Sequence, residues 1–201
     1  MIRLTEEEFK NLKSFELDKN IIHSESNLFS VDDFLIKIYN NSDTIYLNKK
    51  MEVVEDLMKF DDIFKIKELI TPQEIVMIDD EFRGILIPKI NGKNSSFYLD
   101  NLDVSIKTKI EILKKIGIIL EKIKDTNTNS AYSDVHKDNF IVTDKLDVVG
   151  IDTDGMKLFG NNGITNYYLH NLSMDKYEFD SYGIVKPSYD TDIYCYVMMI
   201  M

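Results

Sequence analysis

Residues 132–155 read YSDVHKDNFIVTDKLDVVGIDTDG, and this stretch carries acidic or amide side chains at both ends of a predicted hairpin. Two short runs of β-forming residues, 140–142 and 148–151, flank a polar turn at 144–147. A hairpin brings its two ends close together. We therefore expect the polar side chains that precede its first strand to lie near those that follow its second strand.

Asp134, Asn139 and Asp152 are the most informative residues of this stretch. Asn139 follows Asp134 by five residues, and Asp152 follows it by eighteen. This order and spacing resemble the catalytic loop and metal-binding turn of the protein-kinase-like superfamily. The resemblance implies that Asp134 orients the acceptor hydroxyl or accepts its proton, and that Asn139 and Asp152 hold Mg2+ through oxygen ligands. Asp154, in the same turn, is a rival metal ligand.

His136 bears on the class of acceptor. It stands where many protein kinases have a lysine, and a histidine there resembles the small-molecule kinases, such as aminoglycoside and choline kinases. The resemblance therefore leaves the acceptor open. We count His136 among the candidate catalytic residues, together with Asp134 and Lys37.

Lys37 lies within the predicted strand 34–39 and resembles the strand lysine that binds phosphate in kinases. A lysine inside a half-buried strand needs an acidic partner. The following predicted helix offers Glu52 and Glu55. We favour Glu55, because its separation of eighteen residues from Lys37 is close to the one that the resemblance implies.

Two further segments bear on nucleotide binding. Residues 85–89, ILIPK, resemble the strand and hinge that contact adenine, which makes Ile87 and Lys89 candidate cofactor-binding residues. The family's glycine-rich loop is expected around residues 23–29, which contain no glycine. We therefore expect ATP to bind weakly, or to be held chiefly by Lys37 and Mg2+.

Residues 188–194, SYDTDIY, resemble the start of the large central helix of a kinase's second lobe, with Asp192 as its buried anchoring acid. Residues 155–187 then have the place and length of an activation segment. This favours Ser/Thr protein kinases of bacterial or phage type over small-molecule kinases. Because the chain ends within this helix, we expect either a fragment or a shortened form of the family fold.

The remaining sequence predicts a small sheet followed by helices. Thr5 and Glu8 have the spacing of a capping box for a helix that reaches about residue 15. Strands are predicted at 21–22, 28–29, 34–39, 74–78 and 82–87, and helices at 44–60 and 106–124. We predict an α+β, two-lobed fold with a helical extension (1–20), a nucleotide-binding lobe of antiparallel sheet plus one helix (21–90), and a partial, mainly helical second lobe (91–201).

Composition restricts the class of protein. The 35 acidic and 24 basic residues give a net charge of -11, which argues against a nucleic-acid or anionic-membrane partner. The single cysteine, Cys195, fits a reducing cytoplasm. We expect neither a signal peptide nor a membrane span, which needs about 20 apolar residues. The shorter apolar run at 193–201 is expected to favour self-association.

Together these features predict an ATP- and Mg2+-dependent phosphotransferase that acts on a protein hydroxyl. Two alternatives stay open. The first is a pseudokinase that binds a partner with little or no catalysis, which the missing glycines and the shortened second lobe suggest. The second is a small-molecule kinase acting on an aminoglycoside or an amino alcohol, which His136 suggests.

Overall fold

The chain forms two compact units in a computed structural model that describes residues 1–12, 25–60, 63, 65–126, 129–158 and 185–201. The first unit comprises Met1–Met58 and Thr71–Lys89, and the second comprises Lys59–Ile70 and Ile90–Met201. The mixture of a small N-terminal sheet with helices confirms the predicted α+β class. No helix in the described part of the chain is both long and apolar enough to cross a bilayer.

The helices and strands follow the predicted order, with some additions. The helices are α1 (Glu6–Lys10), α2 (Thr44–Lys59), α3 (Ser95–Leu99), α4 (Ile106–Asp125) and α5 (Tyr189–Ile200). The strands are β1 (Ile2–Leu4), β2 (Ser26–Val31), β3 (Phe34–Tyr39), β4 (Glu74–Ile78), β5 (Glu81–Pro88), β6 (Lys93–Asn94), β7 (Phe140–Val142) and β8 (Val148–Gly150). The predicted strand at 21–22 and most of the predicted activation segment lie outside the described residues.

The first unit is built on a five-stranded sheet with the order β1-β4-β5-β3-β2. Strands β2 to β5 pair antiparallel, as predicted, whereas β1 pairs parallel with β4. The sequence did not indicate β1, because three residues are too few to show a period. Helix α1 has the predicted capping box between Thr5 and Glu8, but it ends at Lys10 rather than near residue 15.

The two faces of this sheet are covered by different helices. Strand β3 alternates, so Ile36 and Ile38 point to one face while Lys37 and Tyr39 point to the other. Tyr39 packs in an apolar cluster with residues of α2. Ile36 and Ile38 pack in a second cluster with residues of β1 and α1. The side chain of Lys37 therefore lies on the α2 face of the sheet.

Gly84 permits the close pairing of β5 with β3. A Cβ atom at this position would lie 2.0 Å from the backbone oxygen of Lys37, a distance that no packing can accommodate. The missing side chain thus lets the backbone of β5 approach the strand that carries Lys37.

The second unit contains a three-stranded sheet, β6-β7-β8, packed on α4. Its outer strand is extended by a piece of chain from far earlier in the sequence. Gly150 donates its N–H to the carbonyl of Glu68 at 2.8 Å, and its carbonyl accepts from the N–H of Ile70 at 2.8 Å. These backbone bonds attach the segment Lys59–Ile70 to the second unit.

Candidate active site

Asp134 and Asn139 are in direct contact in the second unit. A single 3-10 turn, Lys137–Asn139, bends the chain back on itself after Asp134. The side-chain amide of Asn139 then donates two hydrogen bonds of 2.9 Å, one to the backbone carbonyl of Asp134 and one to its carboxylate atom Oδ2. Both amide hydrogens are used in this way, so the amide oxygen Oδ1 of Asn139 is the atom that could bind a cation.

His136 contacts the same carboxylate. Its Nε2 lies 3.4 Å from Oδ2 of Asp134, and its Nδ1 accepts a hydrogen bond of 3.3 Å from the backbone N–H of Asp138. Burial lowers the pKa of His136, but the hydrogen bond to Asp134 and the charges of Asp134, Asp138 and Asp152 outweigh it, so the pKa is raised overall. His136 is therefore an electrostatic partner of Asp134.

Tyr132 connects the loop that carries Asn139 to the turn that carries Asp152. Its buried hydroxyl lies against the backbone carbonyls of Asn139 and Ile151, and its ring stacks on Phe140 with centroids 5.2 Å apart. Burial, reinforced by the charge of Asp152, raises the pKa of the hydroxyl far above its usual value, so it remains a donor. The motif did not identify Tyr132 as a residue of the site. The signal available was chemical, because the hydroxyl of a buried tyrosine needs a hydrogen-bond partner.

Asp152 follows strand β8 in a left-handed backbone conformation, with φ of 63°. The preceding N–H, that of Ile151, donates to the backbone carbonyl of Asn139 at 2.9 Å. This bond places the backbone of Asn139 next to the residue that precedes Asp152, so the two predicted metal-binding residues lie on neighbouring backbone segments. Aspartate adopts the left-handed conformation more readily than most non-glycine residues, and Asp79 and Asp80 adopt it in a hairpin turn of the first unit.

Asp154 differs from Asp152 in its burial. Its side chain is only 1% exposed, whereas Asp152 is partly exposed. The neighbouring Thr153 donates its hydroxyl to the carbonyl of Ile70 at 2.7 Å, which fixes this turn to the interior of the second unit. A buried carboxylate of this kind usually has a structural role, so burial favours Asp152 as the metal ligand.

Asp192 is buried, as the resemblance implied, and its carboxylate contacts the loop that precedes Asp134. Its carboxylate accepts hydrogen bonds from the backbone N–H groups of Tyr132 at 2.6 Å and Ser133 at 2.9 Å. Burial raises the pKa of Asp192 to about 7, although these two hydrogen bonds act in the opposite direction. These hydrogen bonds join the start of α5 to the loop that precedes Asp134.

Helix α3 supports the other side of the same loop, and this contact was not predicted from the sequence. Ser95 donates its hydroxyl to the carbonyl of Lys137 at 2.7 Å, and Ser96 donates to the carboxylate of Asp138 at 2.6 Å. Lys137 also forms an ion pair with Asp100. These contacts hold residues 137 and 138, which lie between His136 and Asn139, against α3 and the residue that follows it.

Asn139 and Asp152 carry oxygen atoms of the type that Mg2+ prefers. Among the described residues, no three His, Cys, Asp or Glu side chains converge on one point. Mg2+ is usually held by one or two carboxylates together with phosphate oxygens and water. Asn139 Oδ1 and the carboxylate of Asp152 supply hard oxygen ligands of this type.

The first unit carries the candidate phosphate-binding lysine. Lys37 is 6% exposed on the α2 face of the sheet, and its Nζ lies 5.8 Å from the centroid of the Tyr39 ring. On α2, Glu55 is partly buried and Glu52 is exposed, which favours Glu55 as the partner. The pairing of Lys37 with Glu55 stays a prediction.

A second buried lysine in this unit was not singled out from the sequence. Lys50 on α2 is 3% exposed, with its Nζ 3.7 Å from the carboxylate of Glu25 and 5.4 Å from the centroid of the Tyr39 ring. It lies between Leu47 and Val54 on the apolar stripe of the helix, so the periodicity itself indicated that this lysine is buried.

The predicted hinge residues lie at the end of β5. Ile87 pairs with Leu35 of β3 and packs against the cluster on the α2 face. Lys89 donates its backbone N–H to the carbonyl of Asp33 at 2.9 Å and its Nζ to Ser30 at 3.2 Å. The backbone N–H of Lys89 is thus already used within the first unit.

The predicted site residues therefore form two groups. Asp134, His136 and Asn139 are in mutual contact in the second unit, and a backbone bond brings the turn of Asp152 beside them. The nucleotide-binding candidates belong to the first unit.

No protein-family model matches this sequence, and a search of curated proteins finds no match either. A search of solved structures does find similar folds. The structure of vaccinia related kinase 3 matches 94% of this chain with a TM-score of 0.58 and 14% sequence identity. The chain spans 63% of that structure. The chain therefore has a protein-kinase-like fold, which confirms the predicted fold class.

Proposed function

We propose that this chain is a phosphotransferase that transfers the γ-phosphate of ATP to a protein hydroxyl with the help of Mg2+. The observation that carries the proposal is the double hydrogen bond from Asn139 to the backbone and carboxylate of Asp134. It fixes a carboxylate next to an amide oxygen that is suited to Mg2+, on a protein-kinase-like fold. Phosphoryl transfer needs this combination of an oriented acceptor and neutralised phosphate charge.

Each residue has one task in this proposal. Asp134 orients the acceptor hydroxyl and receives its proton. Asn139 and Asp152 hold Mg2+, which neutralises charge on the phosphates when it is bound. Lys37, paired with Glu55, binds the phosphates. The hinge around Ile87 and Lys89 contacts the adenine.

A protein is the proposed acceptor because of the second unit's organisation. The first turn of helix α5 carries Asp192, which anchors the loop that precedes Asp134. In the sequence, residues 155–187 have the place and length of an activation segment. The protein with the similar solved structure is itself named as a kinase. A small-molecule acceptor is the alternative that His136 favours.

The second candidate function is a pseudokinase, a binding module without turnover. The observation that favours it is the absence of glycine from residues 23–29, because glycine is the residue that most readily lets backbone amides approach phosphate closely. Residues 26–29 of this stretch belong to strand β2. Measurable phosphate transfer that depends on Asp134 would exclude it.

The test combines ligand binding with turnover. A ligand that binds only the folded chain raises its unfolding temperature. We expect ATP with Mg2+ to raise the Tm, Asp152→Ala to abolish the Mg2+-dependent part of the shift, and Asp134→Asn to abolish transfer of labelled phosphate to protein while keeping the shift. Asp144→Ala, an exposed aspartate in the turn of the same hairpin, is the matched control.

The outcomes separate the candidates. A Tm shift without phosphate transfer to proteins, aminoglycosides or amino alcohols supports the pseudokinase. Transfer only to the small molecules supports the alternative acceptor. No shift at millimolar ATP, or the same shift in Asp152→Ala as in the parent, contradicts the proposed site.

A further inference from the structure

The two oxygens of the Asp134 carboxylate have different surroundings. Asn139 donates to Oδ2 at 2.9 Å, and Nε2 of His136 lies 3.4 Å from the same atom. Within the described ranges, no donor is found on Oδ1. Two neighbours on one oxygen oppose partial rotation of the carboxylate, because a turn about the Cβ–Cγ bond would break both contacts.

The contacts of His136 also define its tautomer. Nδ1 accepts a hydrogen bond from the backbone N–H of Asp138, so it carries no hydrogen in this arrangement. The hydrogen of the neutral ring is then on Nε2, the atom that faces Asp134. Both ring nitrogens are occupied, which leaves His136 poorly placed to carry a proton to or from a substrate. A contact of 3.4 Å is long for a hydrogen bond, as is common for catalytic groups before substrate binds.

We propose that His136 is a positioning residue: with Asn139 it holds Oδ2 of Asp134, so that Oδ1 is the oxygen that receives the acceptor hydroxyl. This inference rests on the proposed function and assigns different roles to two atoms of its central residue. In the step itself, the hydroxyl proton passes to Oδ1 and the acceptor oxygen bonds to the γ-phosphorus. The bond from that phosphorus to the β–γ bridging oxygen breaks, and ADP leaves.

Two substitutions separate positioning from proton transfer. His136→Asn keeps an acceptor near the Asp138 N–H but is too short to reach Asp134. His136→Gln can place an amide N–H where Nε2 was. We expect His136→Asn to lower kcat about tenfold with little change in KM for ATP, since one oriented hydrogen bond is lost. We expect His136→Gln to recover most of that loss and to keep the acidic limb of the kcat/KM pH profile.

Asp134→Asn distinguishes failure of this inference from failure of the proposed function. If Asp134→Asn retains parental turnover, the proposed function is wrong. If Asp134→Asn is inactive but His136→Asn matches the parent, only the positioning role is wrong. If His136→Gln is as impaired as His136→Asn while both keep the parental Tm, the ring itself is required and the positioning role is again contradicted.

A second measurement needs no turnover. The chain has three histidines, so 15N spectra of histidine-labelled protein are simple, and the signals lost in His136→Asn assign the ring. We expect the neutral ring of His136 to carry its hydrogen on Nε2. A ring protonated on Nδ1, or an equal mixture of the two tautomers, overturns the proposal whatever the activity.

Discussion

At the scale of single residues, the hydroxyl of Tyr132 is a buried group that links the loop of Asn139 to the turn of Asp152. It reaches the backbone carbonyls of Asn139 and Ile151, each next to or part of a predicted metal-binding residue. The carbonyl of Asn139 has a second donor in the N–H of Ile151. Removal of the hydroxyl therefore mainly affects the carbonyl of Ile151, which loses its hydrogen-bond donor.

We predict that Tyr132→Phe lowers the free energy of unfolding by about 1–2 kcal/mol, because it leaves the partly buried carbonyl of Ile151 without its donor. The stacked ring is kept, so the effect isolates the hydroxyl. Urea denaturation measures it. Tyr98→Phe, at a tyrosine whose hydroxyl makes no hydrogen bond with the described residues, is expected to change stability by less than about 0.5 kcal/mol. Equal effects of the two substitutions would contradict the role of Tyr132.

Asp192 gives a prediction about pH. Its carboxyl group has a pKa of about 7 in the folded chain, raised by burial from the usual 3.8. Between about pH 4 and pH 7 the folded state thus holds a proton that the unfolded state has released, so stability falls as pH rises. We expect the parent to lose on the order of 3 kcal/mol across this window relative to Asp192→Asn, which cannot titrate.

Urea unfolding of both proteins at a series of pH values measures this difference. The other titrating groups are common to both chains and cancel. A difference in stability that stays constant across the window would show that Asp192 is ionised throughout, and that the N–H groups of Tyr132 and Ser133 outweigh burial.

Sequence reasoning could single out some residues of the candidate site but not others. Asp134, Asn139 and Asp192 occur in short motifs that resemble those of a known family, so the residues could be named although their hydrogen bonds were not predicted. Ser95 and Ser96 act on the loop from a distance of about forty positions along the chain, and no local pattern records such a contact.

At the scale of secondary structure, two glycines differ in whether a side chain could replace their hydrogen. Gly84 in β5 faces the backbone of β3 so closely that a Cβ would lie 2.0 Å from the carbonyl oxygen of Lys37. Gly117 lies within α4, and a Cβ there would meet the hydroxyl of Tyr196 at 3.5 Å, an ordinary contact.

We predict that Gly84→Ala destabilises the chain by about 2–4 kcal/mol, because β5 must move away from β3. Gly117→Ala serves as the matched control and is expected to stabilise by about 0.5–1 kcal/mol, because alanine favours the helix. Thermal unfolding followed by circular dichroism compares them. A neutral Gly84→Ala would show that the two strands can separate locally without cost.

The elements that sequence predicted are those with several turns or alternations. Helix α4 shows its period through many apolar residues, and β3 alternates over six residues. The elements that were missed, β1, β6 and α3, have two to five residues each. Their formation depends on pairing and packing with distant segments rather than on local propensity.

At the scale of the whole molecule, apolar side chains are exposed on the last helix. Val197, Met198 and Ile200 of α5 are 46%, 41% and 50% exposed. Apolar groups in such a cluster favour association, whereas the net charge of -11 opposes it. Salt screens the charge and leaves the apolar attraction in place.

We therefore predict that the average mass in light scattering increases with protein concentration and with added salt. Ile200→Gln should reduce this increase. Leu102→Gln is the control, since Leu102 is 95% exposed but lies in the loop before α4, away from the cluster along the chain. A monomer at all salt concentrations, or equal effects of the two substitutions, would rule out association through α5.

The path of the chain between the two units has a consequence for synthesis on the ribosome. Lys59–Ile70 belongs to the second unit, although the residues on both sides of it belong to the first. It emerges early, yet Gly150, to which Glu68 and Ile70 bond, is translated some eighty residues later. We expect this stretch to stay open to proteases and chaperones on ribosomes stalled before Gly150, and to become protected on those stalled well beyond it. Early protection would mean that the nascent stretch finds another partner first.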